Sequence, residues 1–177
     1  MSSLRRTALQ RKTQLRRTPM PRGAKATAGR VKKTIQRRKQ TTRPDTGPTA
    51  VQRRTVAARA GWRCEICGTV LGWPDSSGGA ATWCAPHSFH HRRPRGMGGT
   101  THPDANSPAN LLLLCGTGTT GDHGRVEANR LAAHQLGWLL HQTEDPTQVP
   151  AYVVTGPHHE ARPLLLTTDG RYEEPTR

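Results

Sequence analysis

Aromatic side chains are scarce in this sequence. Four Trp, two Tyr and one Phe make up 4% of its 177 residues. With hydrophobic residues at only 32%, the apolar content falls below that of a typical globular domain, and part of the chain is expected to stay unfolded. Long apolar runs are missing as well. The longest, Leu111 to Cys115, is far short of the roughly 20 residues that cross a bilayer. No apolar stretch follows the basic N-terminus, so the sequence is not read as starting with a secretory signal. A soluble, cytoplasmic protein is the expectation, and its four cysteines then suit metal ligation better than disulfides.

Acidic residues are nearly absent from the first third. Residues 1–60 hold 18 Lys+Arg against Asp45 alone, a net of +17, whereas residues 61–177 hold 9 against 11, a net of −2. The overall charge of +15 is therefore local to one segment. Residues 1–47 have too little apolar surface to offset the entropy of ordering a backbone. They read as a disordered basic arm suited to polyanion phosphates, and without an aromatic residue for base stacking its expected partner is duplex DNA.

Past Gly47-Pro48 the chain changes character. Residues 49–60 predict a short helix closed by Gly61. Cys64-x-x-Cys67 has the spacing of a metal knuckle. Residues 72–80 read as a loop, Trp83 to His91 as one strand of a hairpin, and Arg92 to Pro108 as a long irregular loop. Leu111 to Cys115 predicts a short buried strand. After a turn, Asp122 is a candidate N-cap for a helix from about His123 to Leu136, closed by Gly137. Residues 152–154 and 164–166 predict accessory strands. The expected organisation is thus an arm over 1–47, a domain over 48–140, and accessory strands with a tail over 141–177.

Four chemical features follow one another: Cys64-x-x-Cys67, the pair His90-His91, Asn110 before the Leu-rich strand ending at Cys115, and His123 opening a helix. In RCEICG at 63–68, HHRRPRGMGG at 90–99, SPANLLLLCG at 107–116 and DHGRVEANR at 122–130, the chain resembles the HNH endonucleases. These belong to the His-Me finger or ββα-metal superfamily, and the closest likeness is to small bacteriophage HNH proteins with a basic N-terminal arm. The likeness covers roughly residues 50–140. It implies an α+β fold, a ββα-metal HNH finger with a zinc knuckle, and metal-dependent hydrolysis of DNA phosphodiester bonds. A neutral imidazole can accept a proton from water near neutral pH, and a divalent cation can stabilise phosphoryl charge and the leaving oxygen.

The resemblance assigns roles. His91, three residues before Pro94, is the general base, and His90 and His123 are ligands of a catalytic Mg²⁺, Mn²⁺ or Ni²⁺. Glu127, one helical turn after His123, is a candidate third ligand. Asn110 orients His91 or pins the intervening loop. Arg92, Arg93 and Arg95 are candidate phosphate contacts beside the base. Adjacent strand residues point to opposite faces, so His90 and His91 can serve one phosphate only where the strand ends. His87, His102, His134, His141, His158 and His159 have no assigned role.

Cys64, Cys67 and Cys115 fit a structural Zn²⁺ site, but Asp122 stands where relatives of this type carry the fourth cysteine. Three outcomes are open: Asp122 ligates through oxygen, Cys84 replaces it, or the site is lost and Asp122 is only an N-cap. The likeness also implies a role in phage DNA packaging beside a terminase, in the host cytoplasm. The competing reading is a non-catalytic zinc-ribbon DNA-binding protein, or a packaging-complex protein with a degenerate nuclease site.

Overall fold

Helix α1 spans Ala50–Arg59. It is closed at its start by a reciprocal cap in which Thr49 Oγ1 accepts from the Gln52 amide and Gln52 Oε1 accepts from the Thr49 amide. Gly61, at φ +57, ends it as the sequence predicts. This is a computed structural model, which describes residues 47–76, 81–96, 100, 102–155 and 160–176. The basic arm expected over 1–47 lies outside the described residues except for Gly47, and His158 and His159 lie outside them too.

The remaining elements are β1 (Gly72–Trp73), β2 (Thr82–Trp83), β3 (His87–His91), a 3-10 turn (Pro108–Asn110), β4 (Leu111–Cys115), α2 (Gly121–Ala128), α3 (Arg130–Gln135), β5 (Ala151–Val154), β6 (Ala161–Leu166) and β7 (Tyr172–Glu173). The protein mixes helices with small antiparallel sheets, an α+β composition: β1 pairs with β2, β3 with β4, and β5, β6 and β7 run in that order. Among the described residues no helix is long and apolar enough to cross a membrane.

β4 is the centre of the core. Leu111, Leu112, Leu113 and Leu114 have no exposed surface, because α1 and α2 both pack on this strand. One edge of β4 pairs with β3, in a register that sets Phe89 opposite Leu113 and His91 opposite Leu111. The other edge is satisfied by Glu65: its amide donates to the Leu113 carbonyl (2.9 Å) and its carboxylate accepts from the Leu113 amide (2.6 Å). That carboxylate also takes Arg59 in a two-pronged pair (3.0 and 3.1 Å) and the Tyr172 hydroxyl (2.6 Å). A buried strand edge thus finds partners without another strand. The Arg59 side chain, 1% exposed, also donates to the carbonyls of Pro108 and Leu111.

Three local expectations change. The segment from Trp83 to His91 is not one strand, because Pro86 has no amide to donate; the chain pairs with β1 before it and with β4 after it. The helix expected over 123–136 is two, α2 and α3. They divide at Asn129, whose side chain accepts from the Ala132 amide and caps the second. The strands after residue 141 are more than accessory, since Ala151, Val153, Leu164 and Leu166 share one core with Val56, Leu71, the β4 leucines and Val126.

Candidate functional site

Two clusters of metal-binding side chains form around the β3–β4–α2 unit. The first comprises Cys64, Cys67, Cys115 and Asp122, whose ligand atoms lie within 4.8 Å of one another. The knuckle after α1 supplies Cys64 and Cys67, the end of β4 supplies Cys115, and the first turn of α2 supplies Asp122. The turn between Cys115 and Asp122 requires Gly121, at φ +61: a Cβ there would meet the Cys115 carbonyl oxygen at 2.6 Å.

Sulfurs bound to zinc at about 2.3 Å stand about 3.8 Å apart across a tetrahedral angle. Cys67 Sγ and Cys115 Sγ are 3.9 Å apart, and Asp122 Oδ2 lies 3.2 Å from Cys64 Sγ and 3.4 Å from Cys115 Sγ. The spacing fits one small cation. The other oxygen, Oδ1, is held by Arg125 at 3.2 Å, so a single oxygen is presented to the sulfurs. Burial pushes the Asp122 carboxyl up, but hydrogen bonds from the three cysteines and the Arg125 charge outweigh it and hold the group below its ordinary value. Burial pushes the Cys64 thiol far up despite amides of Cys67, Cys115 and Ile66 that favour its thiolate. A metal ion in place of the proton relieves that conflict.

Asp122 is therefore a member of the cluster. The cap residue of α2 is Thr120, which makes no side-chain capping bond, so the reading of Asp122 as N-cap is set aside. Cys84 does not replace it. Its exposed thiol faces the Val70 carbonyl at 3.8 Å, outside the group.

The second cluster is His90, His123 and Glu127. Glu127 Oε1 stands 3.9 Å from His90 Nδ1 and 4.0 Å from His123 Nε2, while its other oxygen is held by Arg130 at 3.0 Å. Both imidazoles are oriented from behind. His90 Nε2 donates to the Trp138 carbonyl (3.1 Å), and His123 Nδ1 lies 2.7 Å from Ser88 Oγ. This is the backing that metal-bound histidines ordinarily have. Burial, and then the neighbouring His123, lower the His90 pKa to about 3; burial also lowers that of His123. Both rings are neutral, as a ligand must be. Ser88 was not singled out in the sequence; its only signal is its place two residues before His90 on the same strand face.

His91 leaves this face. As the last residue of β3 it turns to the 102–107 segment, where its Nε2 donates to Asn106 Oδ1 at 3.0 Å. That bond fixes the tautomer with Nδ1 unprotonated. Burial lowers the His91 pKa, with smaller effects in the same direction from Arg95 and His123. The ring is thus a neutral base within electrostatic reach of the histidine cluster. Asn106 is the orienting residue that sequence reasoning missed among ordinary turn residues. Asn110 takes the other role open to it. Fully buried, it accepts from the Arg93 amide (2.7 Å) and donates to the Ala105 carbonyl (2.8 Å), pinning both ends of the loop after β3.

The arginines divide. Arg92 has no exposed surface, and its guanidinium donates to the carbonyls of Gly137, Ala109, Pro146 and Val149. Arg93 is also buried, paired with Asp104 and bonded to the Glu144 carbonyl. Neither can reach a phosphate, because both are used inside the fold; this corrects the expectation for Arg92 and Arg93. Arg95 is partly exposed.

No protein-family model, curated protein or solved structure matches the chain.

Proposed function

We propose that the protein is a metal-dependent endonuclease of the HNH, ββα-metal type that hydrolyses DNA phosphodiester bonds. One observation carries the reading: a neutral imidazole, His91, held by Asn106 at the end of β3, beside the oriented cluster His90, His123 and Glu127. His90 Nδ1, His123 Nε2 and a Glu127 oxygen are the atoms that would hold the catalytic cation. Two imidazoles and a carboxylate fit Mg²⁺ poorly and Mn²⁺, Ni²⁺ or Zn²⁺ better. When bound, the cation supplies charge stabilisation for the phosphoryl and leaving oxygens.

The chain's own groups do the rest. His91 takes the proton of the attacking water at Nδ1 while Asn106 keeps Nε2 protonated and the ring in place. Asn110 fixes the loop that carries Asn106. Arg95 would contact a phosphate near the scissile one. The cysteine cluster with Asp122 would hold a structural Zn²⁺ that joins β4 to α2 and so sets His123 against His90. The arm supplies sequence-independent affinity for duplex DNA.

The test is relaxation of supercoiled plasmid with Mg²⁺, Mn²⁺, Ni²⁺ or Zn²⁺, comparing wild type with His91→Ala. Metal-dependent cutting lost in the variant supports the reading; no cutting with any metal overturns it. A second reading has an observation of its own. With Arg92 and Arg93 used internally, the flank of His91 has little positive charge for a phosphate. That favours a zinc-dependent DNA-binding protein, or a packaging-complex protein that meets a phage terminase, with the histidine cluster idle. Under that reading His91→Ala changes nothing.

A further inference from the structure

His134 and His141 have no assigned role in the sequence, and the proposed chemistry does not use them. The fold brings them together with Glu144, with ligand atoms within 4.8 Å of one another. His134 lies in the last turn of α3, and His141 and Glu144 in the segment that follows Leu140. The two imidazoles stack, with ring centroids 4.3 Å apart and planes 8° from parallel. Among the described residues, His134 Nδ1 is the one buried side-chain nitrogen or oxygen without a hydrogen-bond partner. Such an atom destabilises the fold unless something binds it.

The turn that brings the other two ligands is held from both sides. The Glu144 amide donates to the His141 carbonyl (3.1 Å), and the Glu144 carboxylate accepts from the His141 amide. The Glu144 carbonyl takes Arg93 at 3.0 Å. A carboxylate oxygen that accepts one amide bond keeps lone pairs for a cation.

We propose that His134, His141 and Glu144 form a third metal site, for a divalent transition cation of the zinc or nickel class. Two imidazole nitrogens and one carboxylate oxygen are the donor set of such ions and not of calcium. Ligand atoms about 2.1 Å from zinc stand about 3.4 Å apart in a tetrahedron, so the three side chains need to draw in by about 1 Å, and one of the two stacked rings has to turn out of the stack, because an imidazole nitrogen binds a metal in the plane of its ring. His141 is exposed and has room to rotate, and water completes the coordination from that side. The ion satisfies His134 Nδ1 and ties the end of α3 to the 141–144 turn. The carbonyls of Glu144, Pro146 and Val149, which receive Arg93 and Arg92, lie in and just after that turn. The site thereby braces the arginine segment after β3.

Equilibrium dialysis of the full chain against Zn²⁺ or Ni²⁺, with bound metal counted by elemental analysis, tests this. Wild type is compared with His141→Ala and Glu144→Gln; the latter keeps an oxygen for the His141 amide and so preserves the turn. Wild type is expected to bind one equivalent more than either variant, or to bind that equivalent at least about tenfold more tightly. The same difference is expected in a His90→Ala/His123→Ala background, which separates this site from the other histidine cluster. Equal stoichiometry and affinity in wild type and both variants, or a difference that disappears in that background, overturns the proposal.

Discussion

Neighbouring residues of one motif have unlike fates here. His90 turns toward His123 and Glu127, and His91, at the last position of β3, toward Asn106. Replacing His91 by Ala is expected to lower plasmid cleavage by about 10²–10⁴-fold, the range of a lost general base, with no change in thermal unfolding. Asn106→Ala should give a smaller loss that falls on kcat and spares KM, because the base stays but its tautomer is no longer fixed; single-turnover kinetics would separate the two. Arg92 and Arg95 share one expectation in the sequence, phosphate contact, and part in the structure, where Arg92 is buried. Arg92→Ala strands four carbonyls, three of them buried, and should cost on the order of 3 kcal/mol, measured by urea denaturation. Arg95→Ala should weaken binding to a DNA duplex in a fluorescence titration. An Arg92→Ala protein with wild-type stability would contradict the burial described above.

At the scale of elements, the break between α2 and α3 and the turn before α2 decide where the ligands stand. Asn129 caps α3, so Asn129→Ala should cost about 1 kcal/mol and shift the melting curve, though Asn129 itself belongs to neither metal-binding cluster. Asp122→Cys should tighten metal binding at the cysteine cluster, since a thiolate replaces a single carboxylate oxygen, and Asp122→Asn should weaken it. Competition with a chromophoric chelator reads both, and identical affinities in all three proteins would remove Asp122 from the ligand set. Much of this was legible in the sequence. The Leu111–Cys115 run named its own burial, and the resemblance to HNH endonucleases anticipated the grouping of Cys64, Cys67 and Cys115 and of His90 and His123, with Glu127 as a candidate third ligand and Asp122 as one of three outcomes. The rest was hidden for identifiable reasons. Asn129 lies within a helical pattern and reveals itself as a cap only through the Ala132 amide. Asn106 and Ser88 act through contacts 15 and 35 residues away in the chain. Arg92 and Arg93 look like surface charge until the carbonyls around them are located, and His134 and His141 have no local motif.

For the whole molecule, the proposed function assigns gripping DNA and cutting it to different parts of the chain. Residues 1–60 carry a net +17 and residues 61–177 a net −2, and two arginines of the second part are internal. Deleting residues 1–47 should weaken duplex binding and flatten its salt dependence, each lost phosphate contact removing about 0.9 from the slope. Cleavage should survive at low salt. An unchanged slope after truncation would take the arm out of the account. Glu65 has the widest reach of any side chain described here. It sits between Cys64 and Cys67 in the sequence, yet its carboxylate closes the free edge of β4 and anchors Arg59 and Tyr172. The knuckle and the core are therefore one object. Were the cysteine cluster to hold an ion, removing it would not free a peripheral flap but slacken α1, β4 and β7 together. If the cluster is filled in the cell, the lifetime of this chain against proteases would follow the supply of that metal, and a metal-starved cell would hold less of the protein however much of it was made.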